Sequence, residues 1–439
     1  MEGKVRDAVL AAGPAIWRPA GHQDAPPPDL SLVDVVPLSH GWLAIGRTGD
    51  EILVAPLLED RAHVRRATPG DGVFAALGHV VGHPVPGLTG HPVGTANLGG
   101  RERSLGDHTN ELAVIGERSV VKVFARTSPG PQPAVDLPAH LAAVGFSEMP
   151  APIGSVWWKD ALVATVTTYV PGALDGWDWY VAAVEAAVLG EVAWAAVGVH
   201  AIAIGGLVAR LHRALASPSE VLPTPVEEAD AERIAAWRRA AEATLDTASA
   251  LTDGPEGERL RAIAPAAHVA LAALDRVTRT PIMRIHGDLH VGQILRSPDD
   301  RLRVNDFDGN PLAPVAGRIE PQAPARDVAW MLAAIDHVGR VVARRHPEAE
   351  GAITSWIEPA RDAFLAAYRD GLGDRRELLD DRLLDPFAVA QEAHEFVYAA
   401  RYQPGWRSVP DAALPAVLVR SAARSSFDPV DRGEGRSIG

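Results

Sequence analysis

Apolar and polar positions change rhythm along this chain. In the first ninety residues the runs are short and alternating: Val33–Val36, Trp42–Ile45 and Ile52–Pro56, separated by Ser-His-Gly and Thr-Gly-Asp. Alternation of period two between such turn residues predicts antiparallel strands. Residues 91–172 keep that rhythm at Gly94–Arg103, Leu112–Ile115, Val120–Phe124 and Leu162–Val170, where Pro171-Gly172 ends the last run. One helical stretch, Ala134–Ala142, interrupts it. From 173 onward the period lengthens to that of helices, over Ala182–Ala216, Glu227–Leu251, Gly257–Thr278, a helix opening at Arg326, Glu358–Tyr368, Pro386–Tyr402 and Ala412–Ala423. The expectation is a cap at 1–90, a β-rich lobe at 91–172 and a mainly helical lobe at 173–439. Asp24–Asp29 (DAPPPD) reads as a stiff linker and Ser425–Gly439 as a polar tail.

Composition narrows the classes. The chain has 439 residues, 47% of them apolar, which suits two or three packed domains. Cysteine is absent, so disulfides, thiolate catalysis and cysteine-bound zinc are excluded. Glu2, Lys4, Arg6 and Asp7 leave no apolar leader, and the Ala-rich run Val192–Val208 contains His200, which fits a buried helix better than a membrane span. A cytoplasmic protein without membrane partners is expected. The net charge of −14 comes with no basic stripe, so no nucleic-acid partner is expected. An acidic surface does favour a cationic small molecule. No pattern fixes an oligomeric state.

The chemistry concentrates in Ile285–Pro311. His286-Gly287-Asp288-Leu289-His290 is followed by Gln293, then by Asp306-Phe307-Asp308-Gly309, with Ser297-Pro298-Asp299-Asp300 reading as the turn of a hairpin between them. This order matches the catalytic and metal loops H-x-D-L-x-x-x-N and D-F-G. Phosphoryl transfer needs one carboxylate at the acceptor hydroxyl, and an amide oxygen and another carboxylate for Mg²⁺. A surface hairpin with solvated acids is the plainer alternative for any one of these groups; their combination favours catalysis. Lys122, in Val121-Lys122-Val123-Phe124, reads alone as an edge-strand lysine facing solvent, and the downstream loops turn it into a phosphate-binding lysine. His212, in an L-H-x-A-L run, reads as a core histidine.

His-Gly-Asp in place of His-Arg-Asp, Gln293 in place of Asn, and Asp-Phe-Asp in place of Asp-Phe-Gly resemble the aminoglycoside phosphotransferase-like small-molecule kinases. The segment is similar to the H-G-D-L-H-x-G-Q and D-F-E-G-E-P motifs of actinobacterial maltokinases, but Asp308 and Asn310 replace two glutamates. The D-F-D-G-N-P version resembles the bacterial glucosamine kinases of that group. The resemblance spans nearly the whole chain, most strongly Lys122–Trp406.

It implies an α+β, bilobal protein-kinase-like fold with an N-terminal cap, and ATP and Mg²⁺ as cofactors. It gives Asp288 the acceptor hydroxyl, Gln293 and Asp306 the Mg²⁺, and Asp308 a second ion or the sugar. Lys122 neutralises the α/β-phosphates and pairs with Asp136. Gly106, Asp107, His108, Thr109 and Asn110 form the phosphate loop, and the backbone of Thr168, Tyr169 and Val170 reads adenine. Asp327 braces the catalytic loop. The resemblance places His290 at the sugar site, and His394, Glu395 and Trp406 line that site by likeness to the maltokinase run Y-E-x-x-Y-E-x-x-N-x-P-x-W, whose second glutamate is Ala399 here. The implied reaction is phosphorylation of glucosamine at its 6-hydroxyl. The alternatives are a maltokinase acting at the 1-hydroxyl, an aminoglycoside-modifying enzyme and a non-catalytic nucleotide-binding regulator.

Overall fold

A computed structural model of the chain describes residues 2–18, 29–60, 63–95, 97–105, 111–310 and 315–427. The predicted phosphate loop at 106–110, most of the linker and residues 428–439 lie outside these. The fold is α+β, and the chain divides into two compact units. The first runs to Ala173 and adds Ser219–Leu222 and Ser297–Ile319; the second holds Leu174–Pro218, Pro223–Arg296 and Glu320 onward.

Two antiparallel sheets build the first unit. One orders the strands Ser31–Pro37, Trp42–Thr48, Glu51–Asp60 and His63–Arg66, with Arg126–Thr127 against Glu51–Asp60. The other orders Thr89–Pro92, Pro152–Trp158, Ala161–Thr168, Ser119–Val123, Glu111–Ile115 and Glu102–Ser104. Trp42–Thr48 and Glu51–Asp60 are buried at five and six successive positions, because both faces are covered. Leu43, Ile45, Ile52 and Val54 join Phe74 and Leu77 of helix Val73–His79 and Val121, Val156 and Trp158 of the second sheet in one core. Trp42, Ala44, Leu53 and Leu57 face the other way, onto Val5 and Val9 of helix Glu2–Ala12. Burying a Leu, Ile or Phe side chain contributes about 1.5–3 kcal/mol. In Ser119–Val123 the pleat sends Val121 and Val123 into the core and turns Lys122 to the opposite, half-buried face.

The second unit is mainly helical, with the strand pair Val226–Asp230 and Arg279–Met283 and the short strand Ile294–Arg296. Its long helices are Gly176–Val188, Trp194–Leu215, Ala231–Leu251, Gly254–Leu271, Ala325–Arg345, Glu350–Leu372, Leu384–Arg401 and Ser408–Phe427. The single periodic stretch expected over Ala182–Ala216 is two helices. Gly190, at φ +74°, ends the first in the left-handed region that glycine adopts without steric cost. Trp194–Leu215 is the one described helix long and apolar enough to cross a membrane. Its Leu207, Val208, Leu211 and Leu215 are fully buried, and it packs on Glu350–Leu372. Gly205 lets the two approach so closely that a Cβ there would meet the Phe364 carbonyl oxygen at 2.3 Å.

Candidate active site

In the first unit the Lys122 ammonium sits 2.7 Å from Asp306 Oδ1 and 2.7 Å from Asp308 Oδ2. Its partners are these two carboxylates, where Asp136 was the expected one. Burial disfavours the lysine's charge, but Asp306 and Asp308 together outweigh it and hold the ammonium above its ordinary range. Asp308 is pushed up to about 6 by burial and by Asp306, against the pull of Lys122. Asp306 has φ +61° and Gly309 φ +72°. A non-glycine residue in the left-handed region is uncommon and costs about 1–2 kcal/mol, less for Asp than for most. The backbone therefore spends energy to aim the Asp306 side chain. Two carboxylates drawn to one cation are the hard-oxygen donors that suit Mg²⁺, which uses one or two of them and fills its remaining positions with water and phosphate. No cluster of three or more His, Cys, Asp or Glu among the described residues forms a closed metal cage, and Mg²⁺ needs none.

The predicted hinge residues have most of their backbone donors in use. Thr168 N–H donates to Ala151 O at 2.9 Å and Tyr169 N–H to Arg118 O at 2.8 Å. The Thr168 hydroxyl accepts from Ala151 N–H. Among the described residues this leaves Val170 as the hinge amide without a protein acceptor. Arg103 is held by Glu117 and lies over the Tyr169 ring, 5.2 Å from its centroid, while donating to the phenol oxygen at 2.7 Å.

In the second unit the predicted catalytic loop hangs from one buried carboxylate. Asp327, with no exposed surface, accepts from His286 N–H at 2.9 Å and Gly287 N–H at 3.0 Å. His212 Nε2 lies 3.2 Å from the same group, and His212 Nδ1 lies 2.7 Å from the Tyr368 hydroxyl. His212 is the core histidine expected, with its polar atoms in use. Gly287 is held by Asp327 and Leu289 is fully buried, which leaves Asp288 half-buried between anchored neighbours. His290 accepts from Gly292 N–H at 3.1 Å and lies 3.4 Å from the Gln293 amide.

Trp177 joins the loop to the C-terminal residues. Its ring centroid is 6.3 Å from His290 and 5.4 Å, edge to face, from Trp406. Trp406 Nε1–H donates to Glu395 at 2.7 Å, and Gln391 donates to the other Glu395 oxygen at 2.8 Å. His394, the preceding residue along the helix, turns away and stacks on Trp330 at 5.9 Å. Burial lowers its pKa. Behind Trp406 lies His337, at 5.8 Å and 87°, paired with Glu392 at 3.0 Å. Trp177, Gln391, His337 and Glu392 did not emerge from the sequence as site residues. Gln391 was within reach of it, since it stands one helical turn before Glu395.

No protein-family model matches the chain. It is 41% identical over 434 residues to a glucosamine kinase of Streptacidiphilus jiangxiensis, covering 94% of this chain and 97% of that one. It is 37% identical over 388 residues to a glucosamine kinase of Mycolicibacterium smegmatis (strain ATCC 700084 / mc(2)155), covering 84% and 94%. Among solved structures, a glucosamine kinase (crystal form B) superimposes with a TM-score of 0.80 at 38% identity, covering 94% of this chain and 99% of that one. A glucosamine kinase in complex with glucosamine, ADP and inorganic phosphate gives 0.76 at 39% identity, covering 94% and 98%.

Proposed function

The chain belongs to the glucosamine kinase family, and from that premise we propose that it transfers the γ-phosphoryl group of ATP to the 6-hydroxyl of glucosamine in the cytoplasm. The observation that carries the reading is the solved relative holding glucosamine, ADP and phosphate, whose fold this chain shares over nearly its whole length. The oxygen–phosphorus bond to the sugar forms as the bond from the γ-phosphorus to the β–γ bridging oxygen breaks, and the hydroxyl proton passes to Asp288. Asp288 suits this task because Asp327 fixes the backbone on which it stands. Lys122 neutralises nucleotide phosphates, and Val170 N–H donates to adenine. Asp306 and Asp308 would hold Mg²⁺, which when bound would offset the charge of the phosphates.

The amine is read by Glu395 and the sugar face by Trp406. A carboxylate against a protonated amine makes a charge-assisted hydrogen bond, roughly twice as strong as a neutral one. Both Glu395 oxygens already accept one bond, which fixes the group's orientation and leaves it lone pairs for the ligand. Compare kcat/KM for glucosamine, glucose, N-acetylglucosamine and maltose. Glucosamine should lead by about 100-fold or more, and Glu395→Gln should erode that lead. Equal values for glucosamine and glucose, or a preference for maltose, would overturn the substrate assignment.

A further inference from the structure

His337 and Glu392 are almost wholly buried, at 2% and 0% exposure, on helices Ala325–Arg345 and Leu384–Arg401. Both Glu392 oxygens lie within reach of His337 Nε2, at 3.0 and 3.1 Å. Burial by itself would discharge the imidazole, but Glu392, with Glu395 and Asp336 adding to it, keeps it protonated up to about 9. A buried ion pair of this kind is seldom worth more to stability than well-packed apolar side chains. Its presence calls for another reason.

The other side of the imidazole supplies one. Trp406 meets His337 edge to face, at 5.8 Å and 87°. Trp406 stands in a one-turn 3₁₀ helix, Pro404–Trp406, reached through exposed residues 401–405. That segment buries no side chain and is tied down through its backbone, where Arg344 donates to the Gly405 carbonyl at 2.8 Å, so the orientation of the indole is left to what its ring touches. It touches Trp177 edge to face, Glu395 through Nε1–H, and His337. Perpendicular ring contacts are directional, since the positive edge of one ring seeks the negative face of the other.

We propose that the His337–Glu392 pair is a positioning device for Trp406, fixing the indole against which the sugar stacks without itself touching the sugar. This rests on the reading of Trp406 as a sugar-binding residue. Removing His337 alone would strand a buried carboxylate, so the test exchanges both groups for neutral ones of similar shape, in His337→Gln/Glu392→Gln. That variant should raise KM for glucosamine about 5- to 10-fold, leaving KM for ATP and kcat at saturating sugar within about 2-fold of wild type. In a Trp406→Ala background, itself higher in sugar KM, the same exchange should add less than about 2-fold. If the double exchange does not fold, Glu392→Gln alone keeps an acceptor beside His337 and should give about a 3-fold rise. No rise in sugar KM, an equal rise for ATP, or a full rise in the Trp406→Ala background would overturn the proposal. A Trp406→Ala enzyme with unchanged sugar KM would overturn the stacking role of Trp406 as well, which separates the two failures.

Discussion

Asp288 is nominated by the amino-acid sequence alone. Its spacing to Gln293 and Asp306 is local, and phosphoryl transfer restricts the residue types that can fill it. Lys122 is legible as a phosphate-binding candidate, but its partners are not. It meets Asp306 across 184 positions of sequence, and no local pattern encodes such a pairing. His394 and Glu395 are equally plausible at the sugar site from sequence. Adjacent helical residues point about 100° apart, and only packing decides which of them faces Trp406. Asp288→Asn should lower kcat by about 10²–10⁴-fold. Its ADP affinity by calorimetry should stay near wild type, because the amide accepts no proton and touches no nucleotide on this reading. Wild-type turnover in that variant would remove Asp288 from the chemistry.

Elements are legible where their period is clean and blurred where two faces are covered. Strands Trp42–Thr48 and Glu51–Asp60 read as alternating, yet both their faces are buried, because helix Glu2–Ala12 covers the side that alternation assigns to solvent. That helix offers only Val5 and Val9 as fully buried anchors, too short a stripe to stand out. The break at Gly190 is hidden by an apolar run that continues through it. Helix Trp194–Leu215 carries two adjacent glycines with opposite roles. At Gly205 an added methyl meets the Phe364 backbone, so Gly205→Ala should destabilise by about 1–3 kcal/mol. At Gly206 the nearest atom is the end of the flexible Arg210 side chain, 3.2 Å away. Gly206→Ala should be neutral or stabilise by about 0.5–1 kcal/mol, by limiting the unfolded chain. Urea midpoints of the two variants check this, and equal shifts would mean that the close helix contact is absent.

At the scale of the whole molecule, the α+β class follows from the change of period near residue 172, while the return of Ser297–Ile319 to the first unit does not. Contiguous patterning cannot reveal that a distant segment packs with an earlier one. Stability should also carry a mark of His337. Its ordinary pKa of 6.5 is held near 9 in the fold, so the folded chain keeps a proton that the unfolded chain releases between those values. The resulting stabilisation is complete below about pH 6.5 and is lost as pH rises through 9. Asp308 titrates below this window. Urea midpoints should fall between pH 6.5 and 9.5, and His337→Gln/Glu392→Gln should flatten the slope; an unchanged slope would exclude His337 as its source. The Lys122 contact has a further consequence, for the rate of encounter. The chain carries a net charge of −14, and the nucleotide it admits is a polyanion. With Lys122 between them, Asp306 and Asp308 present one net negative charge to an arriving nucleotide instead of two. The lysine thus lowers the electrostatic barrier to association before it touches any phosphate, and ionic strength has that much less repulsion left to screen.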